Sequence, residues 1–208
     1  MNRVLALFFA AAFVDLATPA FKGIGLSESN GFGAAQLQAI GATWYYSWSE
    51  TTAVTNTSVP FVPMVFSAKH VATIGSGHPY LLGFNEPDNS AQSNMNVSFA
   101  VSLWPQVAAS GTVVGGPATA SNPVTPGNWQ PDFMGNITQL GLRVDFTTLH
   151  WYKNANPESF INDVISLCNR YSLPVWITEF APQTTSASQT DPYHYTQDQP
   201  VCATLRMA

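Results

Sequence analysis

Apolar positions along this chain follow two rhythms. Short apolar or period-two runs read as strands, and 3.6-period stretches between them read as helices. Strand signals cover 21–28, 43–48, 61–66, the run from Tyr80, 113–118, 146–152 and the run from Val175. Helix signals cover 32–40, 96–110, 129–140 and 157–171, with a short turn or helix at 71–77. Gly41, Gly111 and Gly141 stand where three of the helices should stop. The 157–171 segment is the clearest helix. Pro157 suits a first turn, and Phe160, Ile161, Val164, Ile165, Leu167 and Cys168 share one side. Two prolines disturb the pattern. Pro63 cannot donate to a ladder, and Pro105 predicts a kink or a new first turn in its helix.

Strands that alternate with helices point to parallel βαβ units. Seven strands in this order predict an α/β fold, a (β/α)8 TIM-type barrel. The eighth strand is not visible. Residues 184–199 contain no apolar run, and only Val201–Met207 offers a last strand or short helix. A barrel removes its edges by closing. The expectation is therefore an incomplete barrel whose last strand and helices are missing or replaced by an irregular tail, as in a truncated or mis-spliced product. The chain divides into a targeting segment (1–20), the barrel (21–183) and the tail (184–208).

The targeting segment has Arg3, an apolar run from Val4 to Val14, and the small residues Ala17, Thr18 and Ala20. That run is too short to span a bilayer, so no membrane association is expected after cleavage. Sequons at Asn56, Asn96 and Asn136 fit a secreted, extracellular or cell-wall glycoprotein. Cys168 and Cys202 could form a disulfide there, or Cys168 could be a small buried thiol on its helix, the reading favoured here. Only 9% of residues are charged and the net charge is −5. The seven Lys+Arg are spread along the chain and make no basic stripe, which excludes a nucleic-acid partner. No Gly-rich phosphate loop follows any strand. The histidines at 70, 78, 150 and 194 lack metal-ligand spacing, so no metal and no cofactor is expected.

Two strands end in the same way. Tyr80-Leu81-Leu82-Gly83-Phe84 leads into Asn85-Glu86-Pro87-Asp88, and Val175-Trp176-Ile177-Thr178 leads into Glu179, with Pro182 close behind. In parallel α/β folds chemistry sits at the C-terminal ends of strands. A pair of glutamates on one rim suits glycosidic hydrolysis, which needs one carboxyl to protonate the leaving oxygen and another to attack or to activate water. Taken singly, Glu86 reads equally well as a surface turn residue and Glu179 as an ion-pair partner. His150 and Tyr152 alternate on one strand, so both face one side. Trp44, Tyr46 and Trp48 are either a sugar-stacking wall or core. Glu28 ends the first strand on the same rim, where it binds a hydroxyl or is merely solvated. Trp176 should point away from the face of Glu179 and pack.

Gly-Phe-Asn-Glu-Pro-Asp, His-Trp-Tyr and Trp-Ile-Thr-Glu-Phe, in that order over about 21–183, resemble the retaining β-glycosidases of (β/α)8 fold. More closely they resemble the endo-β-1,3-glucanases of glycoside hydrolase family 128. The resemblance implies Glu86 as general acid/base, Glu179 as nucleophile, Asn85 on the 2-hydroxyl of the sugar, and Tyr152 holding the nucleophile. His150, Trp44 and Glu28 complete the expected substrate-binding set. The family's last strand brings an aromatic residue to the floor of the site, and nothing here matches it. The expected function is a secreted, monomeric, retaining hydrolase of cell-wall β-1,3-glucan. The alternatives are a non-catalytic glucan-binding protein and an inactive truncated gene product.

Overall fold

The computed structural model describes residues 22–153 and 155–181. The targeting segment, the polar tail and Cys202 lie outside them. The described chain runs β1 (Gly23–Gly25), α1 (Ala34–Ala39), β2 (Trp44–Tyr46), β3 (His78–Leu81), α2 (Val97–Ser110), β4 (Gly111–Val114), α3 (Trp129–Gln139), β5 (Thr147–Trp151), α4 (Pro157–Tyr171) and β6 (Val175–Phe180), so that strands and helices alternate except between β2 and β3. Among these residues no helix is long and apolar enough to cross a membrane.

Every pairing is parallel: β1 with β2, β3 with β4, β5 with β6. Isolated parallel bridges join these pairs, Tyr45 to Phe61, Met64 to Leu82 and Gly115 to Phe146. Seven extended segments are thus neighbours in chain order, the arrangement that helical crossovers between parallel strands produce. The expected strand at 61–66 is a correction. It contributes two bridges only, because Pro63 has no N–H to give; its carbonyl accepts from the Leu82 N–H at 2.9 Å. The expected turn at 71–77 begins earlier, as a 3-10 turn at Ala68–His70. Cα atoms of β1 and β6 approach within 8 Å. Among the described residues no backbone hydrogen bond joins those two strands. The residues expected to supply or to lack a closing strand lie outside the described part.

The alternation of each strand divides its side chains between two cores. Leu81 and Val114 turn outward against α2 and α3, where Phe84, Trp104, Val107 and Phe133 are buried. Leu82 turns inward to join Trp44, Tyr46, Met64, Phe146 and Trp176. Deep in that inner core Trp176 stacks on Phe146 at 4.3 Å and meets Trp44 at 4.8 Å. Gly23 makes room for this, since a Cβ there would stand 2.0 Å from the Trp44 indole. α2 starts at Asn96, whose side-chain oxygen accepts from the Phe99 N–H at 2.9 Å. It runs from Val97 to Ser110 as one helix with the exposed Pro105 inside, so no new helix begins there. α4 lays Phe160, Val164, Leu167 and Cys168 on Leu149 and Val175. Cys168 is buried in that cluster.

Candidate active site

Two different backbone devices bring the glutamates together. Glu86 follows β3 after the Asn85–Ala118 bridge, and its own N–H donates to the Ala118 carbonyl at 2.7 Å. Its φ is +41°, in the left-handed region that a glutamate enters only under constraint. Such a conformation costs about 1–3 kcal/mol and gathers at functional sites. Pro87 follows, and the Asp88 carboxylate accepts from the N–H groups of Ala120 (2.9 Å) and Ser121 (2.8 Å), which ties this turn to the loop after β4.

Glu179 reaches the same mouth through a β-bulge. Leu149 pairs with Ile177 and His150 with Glu179, so β6 carries one extra residue, Thr178. Trp176 packs in the core as expected, but the bulge overturns the expectation that it points away from the face of Glu179. Without the bulge, Trp176 and Glu179 would face opposite sides, as period two dictates. With it, both face the alternating set on and after β2: Trp176 meets Trp44, and Glu179 meets Trp48. The Tyr46 hydroxyl donates to the carbonyl of the extra residue, Thr178, at 2.9 Å.

The carboxylates are held by full sets of donors. On Glu179, Oε1 accepts from the Trp48 indole N–H at 2.7 Å and Oε2 from the Tyr152 hydroxyl at 2.7 Å. On Glu86, Oε2 accepts from Asn89 Nδ2 at 2.9 Å, and Oε1 lies 3.0 Å from His150 Nδ1. The other ring nitrogen of His150, Nε2, is 3.4 Å from Glu179 Oε1. The buried imidazole therefore sits between the two acids. One donor atom from each of Glu86, His150 and Glu179 lies within 4.8 Å of the other two.

The electrostatics follow from these contacts. The hydrogen bond from His150 lowers the Glu86 pKa, burial opposes it, and Asn89 adds to the lowering. Burial, then the hydrogen bond to Glu179 and its charge, push the Tyr152 hydroxyl far above its ordinary value. Burial and the charge of Glu179 do the same to Tyr46. Both phenols are therefore donors to their partners throughout the neutral range.

Other expected site residues stand elsewhere. Trp44 is 2% exposed and lies in the inner core, so its ring is no wall for a sugar. Alternation placed it on the inner face, and it sits too deep along the strand to reach the mouth. Glu28 is turned away from a free-hydroxyl role. Its Oε1 accepts from Thr52 Oγ1 at 2.6 Å and its Oε2 from the Ala53 N–H at 2.8 Å. Asn85 is 3% exposed; its Nδ2 reaches Gln92 Oε1 at 3.3 Å, while its buried Oδ1 makes no hydrogen bond. Two residues escaped sequence reasoning as site residues. Asn89 follows Glu86 by three, the spacing of a turn contact, and that spacing was the available signal. Trp48 was weighed only as wall or core, and nothing in the sequence announces its bond to Glu179.

A cavity of about 370 Å³ opens beside Glu86, lined also by Asn89, Ser121, Asn122, Tyr152 and Lys153. A second, of about 320 Å³, lies by Trp48, Glu28 and Ser47. A third, of about 440 Å³, lies between α2 and α3 and shares no residue with either carboxylate.

Comparison with known proteins gives a consistent picture. The family described as glycosyl hydrolase catalytic core matches residues 24–205. The crystal structure of a GH128 (subgroup I) endo-β-1,3-glucanase from Amycolatopsis mediterranei, in complex with laminaripentaose, is similar at 32% identity. That match covers 82% of this chain and 78% of the other, with a TM-score of 0.74. A GH128 (subgroup VII) oligosaccharide-binding protein from Trichoderma gamsii shares the fold at 23% identity and a TM-score of 0.67, covering 82% and 74% of the two chains. Alkali-sensitive linkage protein 1 of Schizosaccharomyces pombe is 32% identical over 153 residues, 68% of this chain. The chain spans only 27% of that relative's length.

Proposed function

Because this chain belongs to the glycosyl hydrolase catalytic core family, and within it to glycoside hydrolase family 128, we propose that it cleaves β-1,3-glucan by a retaining double displacement. The observation that carries this is the spacing of the two acids, with one oxygen of each within 4.8 Å. Retaining glycosidases hold their carboxyls about 5–5.5 Å apart, and inverting ones leave about 6.5–9.5 Å for a water. On this reading the catalytic unit is an incomplete (β/α)8 barrel, and the N-terminal apolar run with its flanking Arg3 directs it to the cell exterior.

Glu179 is the nucleophile. Its two donors, Trp48 and Tyr152, hold it in place and aim it. Glu86 is the general acid, then the general base. In the free protein its hydrogen bonds favour the ionised form. A sugar that fills the mouth removes water from Glu86, and desolvation raises a carboxyl pKa, so binding loads the proton that the leaving oxygen needs. Glu86 gives that proton to the leaving oxygen while Glu179 bonds to the anomeric carbon. Glu86 then takes a proton from water, whose oxygen displaces Glu179.

The test is incubation of the purified chain with a linear β-1,3-glucan, with the product anomer read by NMR. Initial release of the β-anomer and its loss in Glu179→Gln support the reading; an α-anomer or activity that survives the substitution overturns it. Binding of the glucan without turnover selects the non-catalytic alternative.

A further inference from the structure

Glu28 lies far from Glu179 in sequence, and the structure links them through one loop. We propose that Glu28 is a positioning residue for Glu179, acting through the 47–53 loop and the indole of Trp48. This rests on the reading of Glu179 as the nucleophile.

The link begins at the carboxylate of Glu28. Both of its oxygens are taken by the far end of the loop, Thr52 Oγ1 at 2.6 Å and the Ala53 N–H at 2.8 Å. Thr52 Oγ1 is a hub: it also accepts from the Val54 N–H at 3.0 Å and lies 3.0 Å from the Tyr45 hydroxyl. The near end of the loop is pinned by the Met64 N–H, which donates to the Ser49 carbonyl at 2.9 Å. Directly before the near pin stands Trp48, with φ +55°. A bulky residue in the left-handed region persists only where its surroundings hold it.

The indole is seated with equal care. Its ring meets Tyr46 at 4.9 Å. It also lies against Gly25, where a Cβ would stand 2.8 Å from the indole. From this seat the indole N–H reaches Glu179 at 2.7 Å. The charge on Glu28 matters to the clamp. Burial pushes its pKa up, but the hydrogen bonds from Thr52 and Ala53 outweigh this, and the carboxyl lies below its ordinary value. A carboxylate accepts from both loop donors at once, whereas an amide accepts with one atom only and must reverse or lose the other bond.

The experiment compares Glu28→Gln, Trp48→Phe and the double variant, with the Trp48 indole N–H followed by 15N–1H NMR. In Glu28→Gln the indole resonance moves upfield as the bond to Glu179 lengthens. kcat on a β-1,3-glucan oligosaccharide falls about tenfold, within the range that sub-ångström misplacement produces, and KM stays within about twofold. In the Trp48→Phe background the same change costs less than about twofold, because the two act in one chain of contacts. Gly25→Ala, whose Cβ presses directly on the indole, moves the same resonance and serves if Glu28→Gln does not fold. An unchanged indole resonance overturns the proposal, as do losses that simply multiply. An effect on KM alone would make Glu28 a sugar ligand instead. Wild-type protein that cuts no glucan counts against the proposed function, while the resonance still decides the link.

Discussion

Glu86 and Glu179 arrive at one mouth by opposite means. Glu86 is turned in by the dihedrals of its own residue, with φ +41° held by the Ala118 carbonyl and the Asp88 turn. Glu179 keeps an extended backbone and is turned in by an extra neighbour, Thr178, which shifts the register of β6 against β5. The donors differ as well. Glu179 is bound by an indole and a phenol, neither of which gains or loses a proton near neutrality. Glu86 is bound by an imidazole and an amide. An acid/base must gain and lose a proton within each cycle, and around Glu86 the influences oppose each other, hydrogen bonds lowering its pKa and burial raising it.

The comparison breaks most completely in Glu179→Ala, which removes the proposed nucleophile and should abolish turnover. Deletion of Thr178 leaves Glu179 two residues after Trp176, on the same face and still opposite His150, but removes the carbonyl that Tyr46 bonds. Activity should therefore fall less than in Glu179→Ala; a loss as large, in a chain that stays folded by circular dichroism, would show that the bulge itself aims the acid. Glu86→Ala should lose about 10²–10⁴-fold on glucan, the usual contribution of a positioned acid/base. With an activated aryl leaving group, which needs no proton, most of the loss in the first step should vanish. A loss of equal size on both substrates would deny Glu86 its role as acid.

Stability separates the inner core from the mouth. Trp176 stacks on Phe146 and meets Trp44 at a tilt, in the inner core. Trp176→Ala should cost about 3–5 kcal/mol in denaturant unfolding, as other large core truncations do. Tyr152→Phe should barely alter stability, because that ring is 44% exposed. Its effect should appear in kcat, about tenfold from the loss of one hydrogen bond to a charged group. Should Tyr152→Phe raise KM and leave kcat alone, the phenol would be binding sugar and not steadying Glu179.

Much of this was legible in the chain. Apolar strands that end in Asn85-Glu86 and in Glu179 mark the two glutamates that the structure brings together, and the clear 3.6 period of 157–171 matches α4 residue for residue. His150 and Tyr152 fall on one face of β5 and its extension, as their spacing requires. What escaped depends on distant partners. A bulge is a relation between two strands, so no pattern within 175–180 reveals it, and Trp176 was placed on the wrong side. The hydrogen bonds of Glu28 and Trp48 depend on how a loop of serines and threonines folds back, and its composition is compatible with many shapes. Trp44 shows the limit of alternation: it gives the face of a strand correctly and says nothing of depth.

The smallest expected effect is the finest test of the difference between the two acids. Asn89 gives Glu86 one of its two side-chain contacts. Its removal in Asn89→Ala leaves His150 and burial as the remaining influences, one lowering and one raising. The Glu86 carboxyl should then titrate at higher pH than in the wild type, seen by 13C NMR of the labelled side chain. The sign in stability follows from linkage. A carboxyl whose folded pKa lies below its unfolded value adds stability above the unfolded value, and loses it as pH falls through the folded one. Asn89→Ala should therefore narrow the stability difference between neutral and acid solution, with little change in stability at acid pH itself. The pH dependence of the rate should move in the same upward sense, since the acid keeps its proton to higher pH. A downward shift of Glu86, or a loss of stability equal at both pH values, would mean that Asn89 shapes the turn and does not tune the charge.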